Sequence, residues 1–225
     1  MKRVTLAALV LLAGIGGWIG YSKMNKAPVD MALKAEIEAI RDAFISDVRS
    51  LDFPASSPPE VIIESTPAMM TYGDEGLTAP DWDTLPAEVV TQMNNWANSA
   101  DGTFTGRQYF EKTFNWFLVV HELGHYVQDV NGTGDQLSHY EREFQANQIA
   151  VAYWKRNHRS ELDDYIAWVR AVLPVISAPE STTPEYYNAN LYSGTNDNDF
   201  NGYFQFYFIL TAYDQIDDLN LADLL

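Results

Sequence analysis

The stretch FNWFLVVHELGHYVQDVNG, residues 114–132, puts two of the chain's four histidines four positions apart in a segment with little charge. On a helix, side chains at i and i+4 share one face, so His121 and His125 point the same way, one turn apart, with Glu122 close beside them. That spacing lets both imidazoles reach a single ion. Val119, Val120, Leu123, Tyr126 and Val127 predict that the helix is buried around the motif, and buried imidazoles are costly unless something satisfies them. The plain alternative is a pair of core histidines held by backbone or carboxylate hydrogen bonds. Gly124 bears on the choice. A glycine inside a helix costs about 1 kcal/mol relative to alanine, so something needs the missing side chain: the close approach of another helix carrying a third ligand, or equally a simple packing contact.

Composition limits what else can join the pair. The chain has no cysteine, so disulfides, thiolate ligands, iron–sulfur clusters and thiol nucleophiles are excluded, and further ligands come from His, Asp or Glu. It carries 14 Lys and Arg against 31 Asp and Glu, a net charge of -17, which repels phosphate backbones; nucleic acid is not an expected partner. With 47% hydrophobic and 13% aromatic residues, the chain has the apolar content of a folded protein.

His121-Glu122-Leu123-Gly124-His125 resembles the HExxH motif of zinc metallopeptidases, and the likeness extends over residues 121–154. The metzincin branch needs Gly at 128 and His at 131, where this chain has Gln128 and Asn131. Gly132-Thr133-Gly134-Asp135 is similar to the loop from which aspzincins take a third ligand, Asp135 here, although the Tyr-Gly that follows in that branch is absent. Asn131, Gly132 and Gly134 are also what a helix stop and tight turn use. The gluzincin branch takes its third ligand from a Glu on the next helix, and EREFQANQIAVAYW offers Glu143, 18 positions after His125, with Asn147 one turn further on. In that family the position of Asn147 is usually an Asp that accepts from a liganding imidazole; Asn can accept through its amide oxygen but brings no charge. Glu141 and His139 remain further alternatives for the third ligand, and His158 reads as a solvated helix end.

The gluzincin-like resemblance implies Zn2+ held by His121, His125 and Glu143, Asn147 behind the ligands, and Glu122 as general base for a metal-activated water that hydrolyses a peptide bond. The implied partner is a peptide or protein substrate lying along a strand near residues 61–72. A second electrophile for the oxyanion would come from His139, Tyr140, Tyr186, Tyr187, Tyr192 or Tyr203. Two other functions share the motif: a membrane-tethered zinc scaffold or inactive zincin without turnover, and an amidase acting on cell-wall or small amide substrates.

The rest of the chain predicts an α+β fold, mainly α, with a small sheet ahead of the HExxH helix and a helical carboxyl-terminal half; the resemblance implies a zincin-like domain over residues 27–225. Helical spacing marks residues 31–51, 86–96, 106–129, 137–156, 161–175 and 200–216. The β-branched run at 61–65 predicts a strand, followed by a second extended segment, and residues 178–198 read as a loop. Residues 1–26 read as a signal anchor or signal peptide: two basic residues precede an uncharged run over 4–21, which as a helix is roughly 27 Å long. The expectation is an extracytoplasmic domain, periplasmic or at the cell surface, held to the membrane by that helix, or secreted if it is cleaved.

Overall fold

The computed structural model describes residues 28–67, 69–100, 102–191 and 198–225, together with Ala7 and Ala8. The membrane helix expected over residues 4–21 lies outside these apart from the two alanines, as does Tyr192. Among the described residues no helix is long and apolar enough to cross a membrane.

The fold is α+β and mainly helical. Helix α1 (Met31–Ser50) starts at Asp30, whose carboxylate accepts the amides of Ala32 and Leu33 and so satisfies two of the donors a helix start leaves open. It buries Ile37, Phe44, Ile45 and Val48, one stripe at helical spacing. A small sheet comes next: β2 (Val61–Ile63) runs parallel to β4 (Gly76–Ala79), and β4 pairs with β3 (Thr71–Gly73) in an antiparallel hairpin, Tyr72 opposite Leu77. On the other edge of β3, Ala7 and Ala8 form a two-residue strand, β1, antiparallel to Thr71 and Tyr72. Gly76 is obligatory in this hairpin. Its φ is 129°, and a Cβ there would stand 2.3 Å from the carbonyl oxygen of Glu60 at the start of β2.

Helix α2 (Ala87–Ala100) packs on α3 (Gly106–Lys112), which opens with a capping box between Thr105 and Gln108. The single helix expected over residues 106–129 is interrupted by a π-helical turn, Thr113–Phe117, before α4 (Leu118–Asn131) carries the HELGH motif. The amide of Leu118 reaches back to the Thr113 carbonyl, so the turn holds one residue more than an α-helical turn and rotates the side chains of α4 by roughly 100° relative to those of α3. Trp116 in that turn stacks on Trp154, with centroids 4.1 Å apart, which ties the turn to the next long helix.

Helix α4 stops at Gly132, whose φ of 66° only glycine adopts at little cost. Helix α5 (His139–Asn157) begins with a second capping box: Ser138 Oγ accepts from the Glu141 amide and the Glu141 carboxylate accepts from the Ser138 amide. Helix α6 (Arg159–Val172) continues almost directly, ending in a short 3-10 turn at Leu173–Val175.

The loop expected over 178–198 contains a helix, α7 (Pro184–Asn190). Thr183 caps it, Pro184 occupies its first turn, and Tyr187 is buried against Phe200, Phe204 and Phe208. These belong to α8 (Asn198–Asp214), which lies along α5; a final turn, α9 (Leu221–Leu224), closes against the same helix. The main core gathers around α4, where every residue from Leu118 to Gln128 is buried.

Candidate metal centre

The centre is built where α4 and α5 cross. A Cβ on Gly124 would stand 3.0 Å from Ala146 Cα and 3.1 Å from its carbonyl oxygen, so the two backbones are nearly in contact, and of the two reasons for the glycine the fold shows the close approach of a helix. Ala146 lies between Glu143 and Asn147 in sequence, and the crossing brings Glu143 over the histidine face. His121 Nε2 is 3.3 Å from Glu143 Oε2, and His125 Nε2 is 3.5 Å from Glu143 Oε1. Among the described residues His121, His125 and Glu143 are the one group with metal-ligating composition and spacing, their ligand atoms all lying within 4.8 Å of one another.

Those distances can be tested against a cation. Ligands at about 2.0–2.2 Å from a tetrahedral ion stand roughly 3.3–3.6 Å from each other. Both histidine–carboxylate separations already match. His125 Nε2 is fully buried and makes no hydrogen bond of good geometry, an orphaned acceptor facing Glu143. The donor set therefore fits a divalent cation of zinc's chemistry. His121 and His125 are 2% and 0% exposed, whereas the Glu143 side chain retains 18%, so the cluster opens to solvent on the α5 side.

Electrostatics divides the three groups. Burial pushes His121 down, against weaker support from Glu143. His125 suffers the same burial, but the adjacent Glu143 and Glu122 charges outweigh it and raise the imidazole. Burial would raise Glu143 too, yet the charge of His125 and the close approach of both imidazoles hold it well below the usual carboxylate range. A cation held by His125 and Glu143 would compete with protons for the same groups.

Glu122 is 2% exposed, and burial pushes its carboxyl up to about 8, opposed by the His125 charge and by a hydrogen bond from the Tyr72 backbone in β3. Its Oε2 has no partner. The strand next to the motif is therefore β3, and Tyr72 also meets Tyr126 of α4 edge to face.

The other candidates have different settings. Asp135 is exposed in the turn after α4. Glu141 is committed to the α5 capping box. His139 is the first residue of α5, and His158 joins α5 to α6, 3.6 Å from Glu161. Asn147 is fully buried beside His121, whose imidazole it supports; its amide nitrogen donates to the Glu143 carbonyl and its oxygen also accepts from Gln205 of α8. Tyr140 hydrogen-bonds Tyr207, Tyr186 and Tyr187 belong to the aromatic cluster of α7 and α8, and Tyr203 stacks on Tyr207.

Two residues near the centre carry no motif signal. Arg142, 6% exposed, pairs with Asp129 at 3.7 Å and adds positive charge near Glu122 and His125. Gln128, 1% exposed, meets His125 Nδ1 at 2.9 Å. A charged residue in a helix's first turn is ordinary in sequence, but an uncharged polar residue three positions after a ligand, in a run otherwise buried, is a usable sign. A cavity of about 290 Å³ between α3 and α6, lined by Phe104, Lys112, Asp164 and Trp168 among others, shares no residue with the cluster.

Comparison of the chain with family models, with curated proteins and with solved structures found no match.

Proposed function

We propose that the chain is a zinc-dependent peptidase of the HExxH type, gluzincin-like in taking its third ligand from Glu143. The observation that carries the reading is the convergence of His121, His125 and Glu143, with both histidine–carboxylate separations at tetrahedral edge lengths and Glu122 beside the histidines on α4 with one carboxylate oxygen unpartnered.

Two imidazoles and one carboxylate leave a fourth position for water or substrate, the pattern of catalytic rather than structural zinc. The chemistry a zinc ion supplies in such a set is Lewis acidity toward a water and a carbonyl oxygen. Glu122 supplies the proton transfers. Its free Oε2 takes a proton as the water oxygen bonds to the peptide carbonyl carbon, and returns it to the amide nitrogen as the C–N bond breaks. The Tyr72 amide holds the other side of that carboxylate, so the base is oriented by the sheet rather than by a loop.

An extended peptide fits along the outer edge of β3, where Ala7 and Ala8 pair antiparallel; a substrate strand would lie in their place. The same proposal puts the domain outside the cytoplasm, tethered through residues 4–21, which requires Ala7 and Ala8 to leave the β3 edge for the membrane helix. A reporter fused at the carboxyl end is expected to be active only on the far side of the membrane, and activity confined to the cytoplasm would overturn that placement.

The enzymatic reading is tested by Glu122→Gln. It should retain zinc while peptide hydrolysis, followed on a peptide library, falls by about 10²- to 10⁴-fold, the usual contribution of a positioned base. A wild-type protein that holds zinc and cleaves no peptide points instead to a scaffold. Turnover of muropeptides without turnover of peptides points to an amidase.

A further inference from the structure

Hydrogen-bond chemistry around Gln128 settles which nitrogen of His125 faces the cluster. The Gln128 amide has one donor end and one acceptor end. One end lies 2.9 Å from the backbone carbonyl of Arg142, which can only accept, and 3.0 Å from Gln145 Oε1; that end is the NH2 group. The other end, at 2.9 Å from His125 Nδ1, is then the oxygen, so Nδ1 must carry the hydrogen. In the neutral ring, His125 Nε2 then carries the lone pair on the side of Glu143.

The same side chain acts on the third ligand. Arg142 immediately precedes Glu143 and Gln145 lies two positions after it, so Gln128 grips α5 on both sides of the residue that closes the centre. Gln128 is 1% exposed, so bulk solvent has little access to these bonds.

We infer that Gln128 is the positioning residue of the metal centre: its oxygen fixes His125 in the Nδ1–H form, ready to ligate through Nε2, while its NH2 group holds the Glu143 segment in register. The inference rests on the proposed metal reading. It adds a positioning residue on the His125 side of the pair, while Asn147 adjoins His121 and supports that imidazole.

Two variants of the full chain separate orientation from simple helix tying. Gln128→Met removes both ends of the amide; Gln128→Glu keeps an oxygen for His125 but loses the NH2 group. Zn2+ affinity is measured by competition with a chelator, and the histidine tautomer by 15N–1H correlation spectra of the metal-free protein at a pH above the His125 titration. Gln128→Met should weaken Zn2+ binding by about 10- to 100-fold, the size expected when a partner of a liganding histidine is lost. Gln128→Glu should recover most of that loss. His125 should show Nδ1–H in the wild type and in Gln128→Glu, and a tautomer mixture in Gln128→Met.

Unchanged affinity in Gln128→Met, equal losses in the two variants, or an Nε2–H tautomer in the wild type would each overturn the role. Absence of Zn2+ binding by the wild type would instead remove the metal reading, and the tautomer measurement would still decide whether Gln128 sets the ring.

Discussion

Two segments after His125 each carry a carboxylate that the motif could recruit: the turn 132–138 with Asp135, and α5 with Glu143. In the turn, Gly132 reverses the chain, the Thr133 amide closes onto the Gln128 carbonyl at 3.0 Å, and Asp135 is left exposed. On α5 the backbone is fixed from several directions. A capping box starts the helix, Ala146 lies on Gly124, Gln128 grips the Arg142 carbonyl, and Asn147 grips that of Glu143. A carboxylate becomes a ligand when the backbone that carries it cannot drift, because the geometry must hold to a fraction of an ångström. The turn's work is to stop one helix and begin another.

The comparison breaks most sharply at Glu143. Glu143→Ala removes the carboxylate held at 3.3 and 3.5 Å from the two imidazoles and, on the proposed reading, is expected to lower zinc affinity by orders of magnitude in a titration calorimeter. A smaller effect is expected at the crossing itself. In Gly124→Ala the new methyl meets the backbone of α5 at 3.0 and 3.1 Å, so α5 must give by a few tenths of an ångström. Zinc affinity should fall about tenfold, as for a change just behind the ligands. The melting temperature of the metal-free protein should move little, because alanine regains about 1 kcal/mol of helix propensity. Asp135→Ala sets the floor. As an exposed substitution it should change zinc affinity by no more than about twofold, equivalent to roughly 0.5 kcal/mol.

Legibility in the sequence divides along the same line. Periodic apolar residues reveal helices that bury one face, so α1, α2, α5, α6 and α8 could be read from their patterns, and the HELGH helix from its own motif. Gly124 announced the crossing because a helical glycine needs a reason. Other features depend on contacts that no local pattern records. The π-helical turn at 113–117 is held by packing such as Trp116 on Trp154, and the parallel pairing of β2 with β4 joins strands that are not consecutive. Helix α7 was hidden by a segment rich in Pro, Thr and Asn, although Thr183-Pro184 is a helix start in its own right. In the sequence Gln128 only excludes one branch of the motif, because its partners at Arg142 and Gln145 meet it only when α5 is laid across α4.

The central claim is that one cation binds where α4 crosses α5, on His121 and His125. Elemental analysis of zinc in the purified full chain, beside the His121→Ala/His125→Ala double variant, tests it most directly. The account predicts one zinc per wild-type chain and essentially none in the variant. A double variant that still holds stoichiometric zinc, or a wild type that holds none after zinc loading, would contradict it.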